Sequence, residues 1–521
     1  MTVEARTEPA ASDGTGPRAR TVLVLLALFI VINAADKAVL GLTAGPIKDD
    51  LGLTATEFGT IASSFYLLFS LSAVSVGFLG DRIHPRPLLA VLALVWAAAQ
   101  LPILLPAAGF GALVATRVVL GAGEGPGYPL ANYTAFTWFP EKRRALPSAV
   151  VVAGGAGGTV LAAPLVILVS DTVGWRAVFG LLGAVGVMWT AAWLRLGGGG
   201  PYTARLGPAA TDDDPPAAGR GCAPTEGDPP AVAGGCAPAD ADPRTVARGS
   251  APPTVPAQRA ADLRPAPLAD APPSAPTPPP DAPHIPPPPP RSVGAPSETP
   301  RVPFWRIVTT GTWLGATLST FAVMWTLALG FAWLPLYLEE QAGFSDAEVG
   351  AIVGLPALSM AVLVLTAGAV AHRLLRRGVT ARVAQGLLGA LLPLLAGLCL
   401  LLATRAGPTA LLLPLLVLAF SAGNGQTPLT NAAIADICPP ARRSAALGLS
   451  YALAALSSLL APYVTGRIID AAPNETVGYG RAFDLAACLL IGGALLAALL
   501  IRPDRDARTL RPALTRTSPE E

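Results

Sequence analysis

The feature that most constrains this sequence is a series of twelve long apolar runs, each long enough to cross the hydrocarbon core of a bilayer as a helix. Because lipid offers no hydrogen-bond partner to an open backbone, we expect these runs to be helical. Only 13% of the residues are charged, against roughly 25% in soluble domains, which excludes an ordinary soluble protein. The predicted spans cover residues 20–45, 57–79, 87–107, 109–132, 145–169, 175–196, 313–338, 346–371, 380–403, 408–433, 443–466 and 480–501.

The interval between the sixth and seventh runs has a very different composition. Residues 197–302 contain 28 of the 54 prolines of the chain, together with its long polar stretches. Proline and glycine at this density, without a repeat period, are typical of disorder, so we expect a disordered Pro/Ala-rich linker. The predicted parts are an N-terminal tail (1–19), a six-helix bundle (20–196), the linker (197–302), a second six-helix bundle (303–501) and a C-terminal tail (502–521).

Basic residues cluster in alternate connections between the runs, and this asymmetry predicts the orientation of the chain. It places both termini and the linker in the cytoplasm, and the Ala, Arg and Pro bias indicates the cytoplasmic membrane of a high-GC bacterium. A net charge of only +2 excludes a nucleic-acid binder that depends on bulk positive charge. The basic connections contain Arg82, Arg86, Lys142, Arg143, Arg144, Arg373, Arg376, Arg377, Arg382, Arg442 and Arg443.

A loop motif occurs at the same position in both halves. After the second run the chain reads from Gly77 through Asp81 and Arg82 to Arg86, and after the eighth run a glycine is again followed, five residues later, by Arg373. The matching positions indicate a duplication. Asp81 can pair across the gap with a helix end or an arginine and hold one conformation, which makes these residues a candidate latch. The alternative is a basic loop that only sets topology.

Four charged residues stand out inside the predicted spans, because a charge in the membrane costs several kcal/mol (about 2.5–3.5) unless it pairs or lines a cavity. They are Asp36 and Lys37 in the first span and Arg117 and Glu124 in the fourth. A separation of seven residues puts Arg117 and Glu124 on one helix face, about 10 Å apart along the axis. This arrangement suits a cation and a carboxylate at two levels of a cavity. The alternative is a structural ion pair with a neighbouring helix.

Several short motifs surround these charges and extend into the second half. They are Asn-Ala-Ala-Asp-Lys at 33–37, Arg-Val-Val-Leu-Gly-Ala-Gly-Glu-Gly-Pro-Gly-Tyr-Pro at 117–129, Trp-Phe-Pro at 138–140, Gly-Trp-Arg-Ala-Val-Phe at 174–179 and Trp-Leu-Pro-Leu-Tyr at 333–337. With the repeated loop, they resemble the major facilitator superfamily, and within it the anion:cation symporter family. The resemblance implies an all-α membrane protein with twelve transmembrane helices in two six-helix bundles around a central site.

The resemblance also implies roles for the intramembrane charges. Arg117 and the cation at position 37 would bind a substrate carboxylate, while Asp36 and Glu124 would carry protons. Position 37 departs from the family, in which arginine is usual. A lysine gives a compact charge instead of a planar fork, so either the substrate differs or the exchange is neutral.

Three further polar residues are candidates for substrate contact. They are Tyr66 in the second span, Asn424 in the tenth and Tyr451 in the eleventh. Each could instead serve only to join helices through hydrogen bonds.

The function expected from these features is proton-coupled symport of a small organic carboxylate by a monomer. We expect no enzymatic activity, no cofactor and no metal site, since the chain has neither a catalytic constellation nor a nucleotide-binding loop. The expected partners are the organic anion, the proton and the lipid bilayer. One alternative is a proton-coupled exporter of drugs or metabolites with the same fold. Another is a membrane sensor that signals through residues 197–302.

Overall fold

The computed structural model describes residues 16–80, 84–139, 145–201, 303–405, 410–439 and 442–510. Within these ranges, all regular secondary structure is helical. Nine of the described helices are long and apolar enough to cross a membrane. Most of the predicted linker at 197–302 and most of both predicted tails lie outside the described residues.

The first half of the chain forms one helical bundle. Its helices are α1 (Pro17–Leu42), α2 (Ala44–Leu51), α3 (Ala55–Gly80), α4 (Pro85–Gln100), α5 (Phe110–Glu124), α6 (Gly127–Phe136), α7 (Ala145–Val173) and α8 (Trp175–Leu196). Gly174 has a φ of 107°, which a residue with a side chain rarely adopts, and it alone joins α7 to α8. Arg176 then donates a hydrogen bond to Asp50 of α2 at 2.5 Å, and this bond lowers the pKa of the Asp50 carboxyl.

The second half forms a matching bundle. Its helices are α9 (Phe304–Val308), α10 (Gly311–Glu340), α11 (Asp346–Arg376), α12 (Leu388–Ala403), α13 (Leu412–Ser421), α14 (Thr427–Ile437), α15 (Arg443–Asp470), α16 (Glu475–Leu500) and α17 (Pro503–Leu510). Helix α17 lies in the segment expected to be a tail. It packs back on the bundle because the buried carboxylate of Asp506 accepts a hydrogen bond from the backbone nitrogen of Thr312 at 2.8 Å.

Two predicted spans are each broken at an equivalent place. The fourth span divides into α5 and α6 at Gly125 and Pro126, and the tenth divides into α13 and α14 around a 3-10 segment at Ala422–Gln426. Proline follows closely in both, since Pro126 precedes α6 and Pro428 lies in the first turn of α14. Proline lacks the backbone N–H that a continuous helix needs and clashes with the preceding turn.

The glycines at these breaks also approach equivalent partners. A side chain at Gly125 would collide with the carbonyl of Phe69 in α3, and one at Gly425 would contact the carbonyl of Leu363 in α11. Helices α3 and α11 are the second spans of their respective halves. The close contact between the second and fourth spans is therefore repeated in both bundles, as the proposed duplication predicts.

Polar contacts between the two bundles lie at one end of the described structure. The end that they close is called the sealed end below. The carboxylate of Asp470 in α15 accepts hydrogen bonds from two backbone nitrogens at the start of α3, and the other contacts are an ion pair and a backbone–hydroxyl bond. The bonds are Asp470–Ala55 at 3.1 Å, Asp470–Thr56 at 2.7 Å, Lys48–Glu340 at 3.2 Å and Ser63–Tyr463 at 3.0 Å.

Apolar packing reinforces the sealed end. Phe58 of α3 meets Trp333 of α10 edge to face, with ring centroids 5.3 Å apart. Gly41 of α1 lies directly against the carbonyl of Phe331 in α10, so a larger residue would separate these helices. The orientation predicted from the basic loops would place the sealed end on the extracellular side.

The predicted latch is only partly within the described residues. Asp81 and Arg82 lie outside them, and Gly77 lies near the C-terminal end of α3. Arg86 is exposed at the start of α4 and donates a hydrogen bond to a carbonyl near the end of α8. Arg373 is exposed in the last turn of α11. The latch stays a prediction, and Arg86 meanwhile joins two helices of one bundle.

We predict that Gly59→Leu opens the sealed end. Gly59 of α3 lies directly against the carbonyl of Pro462 in α15, so a leucine there must push the two bundles apart, at a cost of about 1–3 kcal/mol. A cysteine introduced at Ser63, which is 6% exposed between the bundles, would report the opening. In a variant lacking the five native cysteines, a water-soluble maleimide should alkylate it at least about fivefold faster.

The matched control is Gly111→Leu, because nothing lies within 4 Å of the position that its side chain would occupy. Equal alkylation rates in the two glycine variants would show that the contact between α3 and α15 does not hold the sealed end closed.

Candidate functional site

The four intramembrane charges meet near the middle of the first bundle. Helix α1 supplies Asp36 and Lys37, and helix α5 supplies Arg117 and Glu124. They are called the charge quartet below. Neighbouring residues on a helix point about 100° apart, so Asp36 and Lys37 reach different partners on the adjacent helices. Arg117 and Glu124, two turns apart, each bond to α1 and not to each other.

Lys37 and Glu124 form the ion pair of the quartet. The Lys37 Nζ atom lies 3.0 Å from Glu124 Oε2, and the Glu124 side chain is fully buried. Asn33, one turn before Lys37, donates a hydrogen bond from Nδ2 to the same carboxylate oxygen at 3.0 Å. Its Oδ1 accepts a hydrogen bond from Lys37. Asn33 therefore bonds to both members of the pair and fixes their geometry.

Asp36 and Arg117 form the other half of the quartet without a direct ion pair. Asp36 is 2% exposed, and its Oδ1 accepts a hydrogen bond from Gln100 Nε2 at 2.9 Å. Arg117 is also 2% exposed and donates from Nη1 to the backbone carbonyl of Asp36 at 3.3 Å. The guanidinium carbon lies 5.1 Å from the centre of the Phe179 ring, a favourable cation–π distance.

Arg117 keeps unused hydrogen-bond donors. In the part of the chain that the structure describes, its Nε and Nη2 atoms are buried and have no partner. A buried guanidinium with unsatisfied donors is costly, so this side chain has a strong tendency to bind an acceptor. Carboxylates match the planar fork of arginine, because two parallel hydrogen bonds can form.

A cavity between the two bundles borders the quartet. It holds about 350 Å³ of space between atoms, the solvent at its mouth included. Lys37, Arg117 and Tyr66 are its polar lining residues, and Asp36 and Glu124 lie behind them. The remaining lining side chains are apolar and come from both bundles: Leu40, Ala62, Phe65, Ala328, Phe331, Ala332 and Pro462. The cavity thus presents both cations of the quartet to a position between the bundles.

The other two predicted contact residues are not among those that line this cavity. Asn424 is buried in the 3-10 segment at Ala422–Gln426. Tyr451 of α15 is 48% exposed and does not line the cavity either.

Sequence reasoning missed three residues that the structure joins to the quartet. Asn33 and Gln100 bond to its acidic members, and Phe179 packs against Arg117. The first two carry a usable signal, since each is an uncharged polar residue inside a long apolar run. Phe179 carries none, because an aromatic residue in an apolar helix is ordinary.

A family comparison identifies the fold. The family described as the Major Facilitator Superfamily matches residues 26–425 and 382–519 of this chain. The chain belongs to the Major Facilitator Superfamily. It is therefore a multi-pass membrane transporter, and the predicted all-helical fold of two six-helix bundles is confirmed.

Curated relatives in this superfamily are named as transporters of acids. A protein of Escherichia coli O6:H1 named as a D-galactonate transporter is 24% identical over 490 residues, which cover 93% of this chain and 96% of the relative. A hexuronate transporter of Bacillus subtilis is 33% identical over 174 residues, which cover 33% of this chain and 41% of the relative. Both relatives are named as transporters and not as enzymes. This agrees with the expectation that this chain has no enzymatic activity.

Solved structures support the fold alone, because their sequence identity is low. A bacterial homologue of the human lysosomal transporter Spinster, in an inward-facing and unoccupied conformation, superposes with a TM-score of 0.63 at 16% identity, over 97% of this chain and 100% of the other. A D-xylose-proton symporter superposes with a TM-score of 0.61 at 11% identity, over 94% of this chain and 99% of the other.

We predict that Lys37→Met destabilises the protein much more than the double variant Lys37→Met/Glu124→Gln. Removal of Lys37 alone leaves a buried carboxylate without its cation, a loss of about 3–5 kcal/mol, whereas the double variant removes both charges. Apparent melting temperatures in detergent at pH 7 would measure the difference.

The control is Lys48→Met. Lys48 pairs with Glu340 at 3.2 Å, but the two side chains are 14% and 28% exposed, so its loss should cost no more than about 1 kcal/mol. If the double variant melted below Lys37→Met, the pairing of Lys37 with Glu124 would not explain the instability.

Proposed function

We propose that this chain is a secondary transporter that moves a small organic anion together with a proton by alternating access. The observation that carries the proposal is the buried guanidinium of Arg117, with two unpartnered nitrogens at the edge of a cavity between the bundles. A carboxylate docked there would satisfy both donors. The relatives named as transporters of galactonate and hexuronate support the same substrate class.

Charge balance supports coupling to a proton. With both acids ionised, the quartet contains two positive and two negative charges, so its net charge is zero. An anion alone would leave this buried site with an excess negative charge, which is costly in a low dielectric. A proton taken up with the anion restores neutrality. The pair could then pass through the closed intermediate at a lower cost than the anion alone.

The Lys37–Glu124 pair supplies a mechanism for this coupling. While Glu124 is ionised, it pairs with Lys37 at 3.0 Å, so the Lys37 ammonium is less available to an incoming anion. Protonation of Glu124 weakens this attraction and frees Lys37, which lines the cavity, to join Arg117 in binding the carboxylate. Anion binding and Glu124 protonation would then favour each other by the same factor, because linkage is reciprocal. Asp36, held by Gln100, is the second candidate proton carrier.

The remaining roles follow from the position of each residue. Tyr66 lines the cavity and is proposed to contact the bound substrate. Tyr451 is exposed and does not line the cavity, so it is proposed to contact the substrate only while the substrate approaches the cavity. The proposed orientation places both termini in the cytoplasm and the sealed end outside, so the structure corresponds to an inward-facing conformation. Asp81, Arg82, Arg86 and Arg373 would then form the latch that closes the cytoplasmic end.

We predict that Glu124→Gln uncouples transport from protons. Glutamine retains the shape of the side chain but cannot ionise, so labelled anion should still exchange across a proteoliposome membrane without accumulating under an inward proton gradient.

Arg117→Lys should reduce uptake about 10- to 100-fold, because a charge-assisted hydrogen-bond pair is lost. The probes are D-galactonate, benzoate and 4-phenylbutyrate.

The matched control is Arg405→Gln. Arg405 pairs with Asp484 at 2.8 Å, but it is more than half exposed and distant from the cavity, so uptake should not change. Accumulation of any probe by Glu124→Gln against its gradient would overturn the assignment of Glu124 as the coupling site.

A further inference from the structure

A second cavity lies beside the first, and the quartet does not border it. It contains about 450 Å³ of space between atoms, its open side included, and its walls come from α7, α10, α11 and α13. It is called the apolar lobe below. Its lining residues are Thr159, Leu327, Gly330, Phe331, Leu334, Val353, Pro356, Ala357, Met360 and Phe420.

The apolar lobe and the quartet cavity share one lining residue. Phe331 of α10 borders both, so the two spaces meet at this residue. The backbone of Phe331 is held against Gly41 of α1, which fixes this part of α10 at the sealed end. A ligand bound at Arg117 would therefore enter the apolar lobe by extending past Phe331.

The lobe has almost no capacity for hydrogen bonds. Thr159 is its one hydroxyl-bearing residue, and that hydroxyl already donates to the carbonyl of Gly155 at 3.5 Å. Each ligand hydroxyl buried there without a partner would cost roughly tenfold in affinity. Each methylene group buried there would instead improve affinity about fourfold. The lobe favours rings and alkyl chains over polyols.

The quartet cavity favours a single carboxylate. Lys37 is engaged by Glu124 and Asn33, so Arg117 is the cation with unpartnered donors among the described residues of this cavity. One free guanidinium fork binds one carboxylate. Tyr66 is the other polar lining residue, so a chain of hydroxyl groups would find few partners here either.

We propose that the two cavities form one bipartite site for an amphiphilic monocarboxylate, with the carboxylate on Arg117 and an unhydroxylated ring or chain in the apolar lobe. This inference rests on the proposed function and narrows its substrate class. It separates this chain from the relatives named for galactonate and hexuronate, whose named substrates are polyhydroxylated acids.

Binding to the purified full-length chain in lipid nanodiscs tests the proposal by calorimetry. We expect 4-phenylbutyrate to bind at least tenfold tighter than benzoate, since its longer chain carries the ring into the lobe. We expect D-galactonate to bind at least tenfold more weakly than 4-phenylbutyrate. Ala357→Phe should fill the lobe and weaken 4-phenylbutyrate binding at least tenfold, while benzoate binding stays within twofold.

The matched control is Leu358→Phe. Leu358 neighbours Ala357 but is 47% exposed and does not line the lobe, so binding of both acids should be unchanged. If Ala357→Phe binds 4-phenylbutyrate as well as the unaltered chain does, the lobe is not a subsite.

Two further outcomes separate this inference from the proposed function. Tight binding of D-galactonate with weak binding of 4-phenylbutyrate would overturn the bipartite site and leave organic-anion transport intact. If Arg117→Lys left the binding of every probe unchanged, the proposed function itself would fail.

Discussion

The burial of two acids and two bases among apolar helices is the constraint on which the rest of the structure depends. None of the four side chains can reach bulk water easily, so each must be satisfied by protein groups or by a ligand. Three of them find protein partners: Lys37, Glu124 and Asp36. Arg117 is satisfied only in part, and so is Glu124, because Arg117 Nε and Nη2 and Glu124 Oε1 are buried without a hydrogen-bond partner among the described residues. The protein can therefore fold with these charges buried, while the remaining hydrogen-bond donors of Arg117 are available to a ligand.

In the proposed mechanism, coupling depends on the zero net charge of the quartet. Adjacent positions in α1 reach different partners on α5 and α4, so the two acids have different hydrogen-bond partners. Glu124 is bonded to the Lys37 ammonium, whereas Asp36 is bonded to a neutral amide, and the backbone carbonyl of Asp36 accepts from Arg117. In the proposed mechanism, a change in protonation at Glu124 alters the position of a charge that lines the cavity. Protonation of Asp36 would act on Arg117 only through the backbone carbonyl that Arg117 contacts and through the electric field of the Asp36 carboxylate.

The fold could be predicted from the sequence to a large extent, because the membrane requires long apolar helices and leaves an unmistakable pattern. The breaks in the fourth and tenth spans were not predicted, since apolar composition alone does not reveal where proline interrupts a helix. The charged residues of the site could be selected because charge is rare in such runs. The absence of Asn424 from the cavity lining and the contact of Phe179 with Arg117 depend on which helix face meets which neighbouring helix. The sequence of a single span does not contain that information.

The hydrogen bonds that Asp470 accepts have a consequence for how the sealed end would open. Helix α3 caps itself in part, since Thr54 and Glu57 exchange hydrogen bonds at its first turn. Its two remaining amides there, at Ala55 and Thr56, are completed by a carboxylate from the opposite bundle. A helix cap supplied by the other bundle can be replaced by water at a modest cost, about 0.5–2 kcal/mol. Opening of the sealed end would thus include a step in which water replaces the Asp470 carboxylate. This step costs little, is reversible and leaves helix α3 intact, so it could be repeated in every transport cycle.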